Sequence, residues 1–228
     1  MQCTNQLKQL GLAAQNFHDI NDRLPARSAQ HILKKYNRDG NAFERFSYMT
    51  VLLPYIEQNA MYQQFIGDLE DGNMQPRRAD DPHGAGQRRV WLNDIDAFLR
   101  PSDGANKRPE NERKATNYRV NCGDIAMAWE WDECRGVGSD GWKIQLNFAG
   151  IADGASNTIF VSEACVGSTG AVNKIKGGVA KLGGNHGNIN FRPSNCAAVR
   201  GSNGEFVSGT SVGTTSNQLS GTRWLPLS

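Results

Sequence analysis

From Met1 to Asp22 the chain reads MQCTNQLKQLGLAAQNFHDIND, and Cys3, Leu7, Leu10, Ala14 and Phe17 recur at spacings of four, three, four and three. That rhythm puts them in one narrow apolar stripe of an α-helix, while Gln2, Asn5, Gln9 and Asn16 face elsewhere. A helix of about 18 residues gains most of its stability in water by packing its apolar face on another surface, so the rest of the chain must supply one. Thr4 is a candidate N-cap, but the stripe is already in phase at the first residues. The pattern therefore predicts a helix that continues upstream of Met1.

Helical spacing returns over Phe46 to Phe65, where Met49, Leu52, Leu53, Ile56, Ala60 and Phe65 fall largely on one side. Pro54 interrupts the run. A proline removes a backbone donor and clashes with the preceding turn, which predicts a short helix to Leu53 and a restart with Pro54 in its first turn. Asn21 to Gly40 reads as a connection with a short helical piece around Ala29 to Lys35, and Gly67 to Gln87 as an exposed polar excursion. In the back half the pattern changes period. Trp142, Ile144, Leu146 and Phe148 alternate strictly with Lys143, Gln145 and Asn147, as in a strand with one buried face. Ile95 to Leu99, Thr116 to Asn121, Asn157 to Ala164 and Glu205 to Ser208 are further strand candidates. The fold class that follows is α+β, with the first helix packed on an antiparallel sheet containing Trp142 to Phe148. Three regions of a single domain are expected: the helix (1–22), a helical and loop region (23–94) and a β-rich region (95–228).

Composition agrees with a globular chain: 228 residues, 38% of them hydrophobic and 21% charged, suffice for one large or two small domains. A formal net charge of +2 creates no global field for nucleic acid or an anionic membrane. The sequence holds neither a run of 18 apolar residues nor a secretory signal pattern. Cys3, Cys122, Cys134, Cys165 and Cys196 form no C-x-x-C pair, which argues against zinc and for buried thiols with one or two disulfides, Cys122 with Cys134 or Cys165 with Cys196.

Several motif matches fail on context. Gly136-Val137-Gly138-Ser139-Asp140-Gly141 has G-x-G-x-x-G spacing, but charged residues precede it and an alternating strand follows, the reverse of a dinucleotide site. Gly209-Thr210-Ser211-Val212-Gly213 fits G-x-S-x-G, yet no acid or histidine follows Ser211. The segment around Gly177 and Gly178 lacks the G-K-[ST] of a phosphate loop. His18, His31, His83 and His186 form no H-x-x-x-H pair. Asp68, Glu70, Asp71 and Asn73 make an acidic stretch whose offsets do not match a calcium loop, favouring a solvated loop over calcium. No cofactor or metal is expected. Trp129 and Trp131, with Trp142 nearby, set flat aromatic faces beside carboxylates, which suits a sugar or a cation, against the competing use of such residues as core. Asp153-Gly154-Ala155-Ser156-Asn157-Thr158 predicts a structural turn launching a strand, because Asp and Asn side chains close local bonds and Gly154 can take a positive φ.

Four stretches carry a resemblance: CTNQLKQLGLAAQNFHD, VLLPYIEQNAMYQQF, FLRPSD followed by ATNY, and IADGASNTIFVSEA. In this order they are similar to the prepilin-type family of unknown function that is also known as a bacterial solute-binding family, and Gly221-Thr222-Arg223-Trp224 resembles a weaker later feature. The resemblance implies a type IV pilin-like or pseudopilin-like architecture. The first helix would be the amphipathic C-terminal half of a spine preceded by a basic leader, a cleavage site and an apolar membrane segment of about 20 residues. Two departures accompany it. Arg100 stands where the family has a cysteine, so Cys3 lacks that partner, and the family's C-terminal histidine feature is missing, as in a divergent or truncated member.

The function these readings imply is a non-catalytic extracytoplasmic envelope subunit, membrane-anchored or secreted. It would meet other pilin-like subunits through the first helix and the membrane only through the upstream segment, with no nucleic-acid partner. The alternative is a small-solute or glycan-binding module using Trp129, Trp131 and Trp142. An enzyme pairing Glu130, Asp132 and Glu133 as a glycosidase does ranks third.

Overall fold

The computed structural model describes residues 2–26, 47–70, 93–104, 114–121, 123, 136–138, 146–167, 174–178 and 193–212. Helix α1, Gln2–Asn21, forms where the stripe predicts it. Leu10, Ala14 and Phe17 are buried, Cys3 and Leu7 half-buried, and Ala13 widens the stripe. The helix ends where Asp22 takes a left-handed φ of 52° and its N–H reaches back to the His18 carbonyl, while Asn21 Nδ2 caps the Phe17 carbonyl at 2.8 Å.

The second helical run breaks at its proline. Helix α2, Tyr48–Leu52, gives way to a 3₁₀ turn, Leu53–Ile56, with Pro54 at its start. Glu57 then adopts a left-handed φ of 63° and helix α3, Asn59–Glu70, begins. All of α2 is buried, as are Leu53, Phe65 and Ile66, so the break wraps one apolar surface around α1. The Phe17 ring meets Tyr55 edge-on at 5.9 Å.

The sheet is small. Strands β1, Tyr118–Val120, and β2, Val161–Glu163, pair antiparallel with Tyr118 opposite Glu163, Arg119 opposite Ser162 and Val120 opposite Val161. Both lie inside predicted strands. α1 lies against β2 and against a 3₁₀ turn at Asp96–Phe98, and Leu10, Phe17, Ile95, Phe98 and Tyr118 share one core onto which Val120 and Val161 pack. A short helix α4, Pro193–Ala198, and isolated bridges from Glu205 to Lys174 and from Phe206 to Arg200 complete the described residues. Among them no helix is long and apolar enough to cross a membrane.

Three expectations are corrected. Ile95 to Leu99 is a 3₁₀ turn because its buried positions are Ile95 and Phe98, three apart, which eclipse on a threefold helix and not on a strand. The strand expected to Phe148 is not present at its described end, and the sheet under α1 is built from β1 and β2. Leu146 still accepts a bond from the Leu24 N–H, but the Asn147 side chain caps Gly150 N at 3.0 Å and Phe148–Gly150 turns into a 3₁₀ helix. Phe148 nonetheless reaches α1, stacking at 4.4 Å on the His18 ring and donating its N–H to His18 Nε2. Thirdly, Asp68 and Glu70 belong to the last turn of α3 rather than to a loop. Asp71, Asn73, the piece around Ala29 to Lys35 and residues 142–145 lie outside the described residues.

Candidate functional site

The polar side chains that matter most converge where three of the quoted stretches meet under the first turns of α1. Arg100-Pro101-Ser102-Asp103 is a turn, closed by Asp103 N to the Arg100 carbonyl at 3.0 Å, with proline at the position whose φ it pre-sets. Asn117, entirely buried, is its anchor. Its Oδ1 accepts from Arg100 N at 2.8 Å, and its Nδ2 donates to Asp103 Oδ2 at 2.7 Å and to the Ala164 carbonyl at 2.9 Å. Its backbone pairs with Phe98 on one side and Ala164 on the other. Asp103, 7% exposed, takes a second bond from Val166 N at 2.8 Å. A buried carboxylate with two donors on one oxygen ties backbone together; its charge is answered inside the protein.

Beside this knot an ionic layer faces α1. Arg100 Nε lies 3.3 Å from Glu163 Oε2, and the Cys3 thiol and the Glu163 carboxylate hold the guanidinium above its ordinary pKa. Tyr118, opposite Glu163 in the sheet, donates its hydroxyl to Gln6 Oε1 at 3.0 Å, and Gln6 Nε2 reaches the Asp96 carbonyl at 2.7 Å. Burial, reinforced by the Glu163 charge, pushes the Tyr118 phenol up to about 12, so it stays a neutral donor. Nearby, the buried Lys114 ammonium pairs with Asp94 at 3.4 Å.

The predicted turn is closed locally. Gly154 has φ 81°, Asn157 Nδ2 donates to the Asp153 carbonyl at 3.0 Å and Thr158 Oγ1 to the Gly154 carbonyl at 3.1 Å. Asp153 and Asn157 are solvent-exposed. Trp129, Trp131 and Trp142 lie outside the described residues, as do His31, His83 and His186. Among the described residues no group of three or more His, Cys, Asp or Glu could hold a metal. Cys165 carries a free thiol, as does Cys3, so the bridge from Cys165 to Cys196 is not formed. Of the G-x-G-x-x-G match, Gly136 to Gly138 is buried, and Gly138 donates to the Asn121 carbonyl at 2.8 Å, continuing from the end of β1. A Cβ at Gly138 would overlap the Val120 side chain. That glycine serves close packing on a strand.

Residues 1–224 match the model of the family SBP_bac_10, "Protein of unknown function (DUF1559)". The chain belongs to this family. No curated protein and no solved structure matches it. In this DUF1559 member, the junction of Arg100, Asp103, Asn117 and Glu163 brings together the FLRPSD, ATNY and SEA stretches. As runs of letters these stretches show a likeness only; the roles of Arg100, Asp103 and Asn117 come from partners far apart in sequence.

Proposed function

We propose that the protein is a non-catalytic pilin- or pseudopilin-like subunit working outside the cytoplasmic membrane, needing no cofactor, and joining other such subunits through α1. The observation that carries this reading is the two-sidedness of α1. One side is buried in the core, while Leu12 on the opposite side stands 59% exposed and Ile20, in the last turn beside the Ala13 row, stands 73% exposed where the helix runs out. A large apolar side chain on the outer side of an otherwise polar helix, with a second at its exposed end, is what a helix needs to pack against neighbours as well as its own domain. Family membership supports the reading, as does a junction whose polar groups are answered by one another.

The experiment is fractionation of cells expressing the native gene, followed by protease treatment of intact spheroplasts. The protein is expected in the envelope and degraded by external protease. Recovery in the cytosol, protected until lysis, would overturn the assignment. The family's SBP_bac_10 label favours a second reading, a small-solute or glycan-binding module centred on Trp129, Trp131 and Trp142. Saturable glycan binding lost on Trp131→Ala would favour it.

A further inference from the structure

The junction holds a pair of groups that the proposed function does not use, two free thiols near one arginine. Cys3 sits in the first turn of α1, and its sulfur shares a hydrogen bond with the Arg100 guanidinium, whose Nε also contacts Glu163. Sheet register locates the second thiol. Tyr118 opposes Glu163 and sends its hydroxyl to Gln6, so the face of the sheet bearing both is the one α1 covers. Alternate residues of extended chain share a face. Pairing continues past Glu163, since Ala164 N bonds to the Asn117 carbonyl at 2.7 Å, and Cys165 therefore falls on the face of Glu163.

The direction of α1 agrees. Val120 and Val161 pack on the core that contains Leu10 and Phe17, while Gln6 meets Tyr118 further along the sheet. From Leu10 to Gln6 the helix thus follows β2 from Val161 towards Glu163. One more turn back lies Cys3, on the side of Gln6, at the level of Cys165. Both cysteines are half-buried rather than sealed in the core.

We propose that Cys3 and Cys165 are partners in a reversible disulfide that clamps the first turn of α1 to the end of β2, the dithiol being its reduced form. A low-molecular-weight or protein disulfide is the oxidant. The thiolate of one cysteine attacks it, forming a mixed disulfide and releasing one thiol. The second thiolate then displaces the other half, so the protein loses two protons and two electrons and the oxidant becomes two thiols. The clamp would hold α1 where, in the reduced form, Arg100 and Gln6 hold it.

The proposal stands apart from the pilin-like reading and is tested on the unaltered full chain. The protein is equilibrated with oxidised glutathione, its remaining thiols are alkylated, and it is digested without reductant for mass mapping. A peptide pair joined through Cys3 and Cys165 is expected, with both thiols regaining label after dithiothreitol. Cys3→Ser should leave Cys165 open to alkylation under the same conditions, and Cys165→Ser should do the same for Cys3. In the linked form, amide exchange over residues 2–6 should slow relative to the reduced protein. Linkage of Cys165 to Cys196 instead, or full alkylation of both Cys3 and Cys165 after oxidation, would overturn the proposal.

Discussion

Asn117 shows how one buried amide can organise a junction. It makes three side-chain bonds, two to the Arg100–Asp103 turn and one to the Ala164 carbonyl beyond β2, from a position with no exposure of its own. Asn117→Ala should cost about 3 to 5 kcal/mol in denaturant unfolding, because truncation also leaves the Asp103 carboxylate short of a donor. Tyr118 makes a separate prediction. Its phenol is raised to about 12 in the fold against 10.0 for the free group, so its neutral form stabilises the native state fully below pH 10. As pH rises from about 10 to 12 the unfolded chain ionises first, and stability on the order of 2 kcal/mol is lost across that window. Tyr118→Phe should flatten this part of the stability profile; an unchanged alkaline slope would show that the phenol is not its source. None of this was legible in the hydrophobic pattern. Periodicity reports which residues avoid water, and Asn117, Asp103 and Lys114 are polar residues that avoid it only because distant segments supply their partners.

At the level of elements, α1 was readable because its stripe repeats over five positions, and the sequence needs no tertiary information to place Leu10 and Phe17 on one side. Leu10→Ala should cost about 2 to 5 kcal/mol, whereas Gln9→Ala, on the exposed side, should stay within about 0.5 kcal/mol. Equal midpoints in urea would show that the stripe is not the packing face. The Pro54 break was readable for a similarly local reason, a missing donor. The strands were harder. β1 and β2 are three residues each, too short for alternation to separate them from turns, and the Trp142 to Phe148 pattern ends in a turn because Asn147 satisfies Gly150 locally. Gly138 is an element-scale contact that spacing alone casts as a ligand loop. Gly138→Ala should destabilise by about 1 to 3 kcal/mol through overlap with Val120, and Val120→Ala in the same chain should recover part of that loss. Additive effects of the two substitutions would show that they do not touch.

For the whole molecule, the inner side of α1 builds the core with α2, α3 and the sheet, while Leu12 on its outer side and Ile20 at its end are left exposed. The proposed function requires this one helix to be divided between its own domain and neighbouring subunits. A photo-activated cross-linking residue at Leu12 or Ile20, and at the exposed Ile159 outside the helix as a control, placed in the native cell, tests this requirement most directly. Cross-links from positions 12 and 20 to another pilin-like subunit or a second copy of this chain, with none from position 159, are the predicted result. Equal labelling at all three positions, or a protein that remains uncross-linked at 12 and 20, would contradict it.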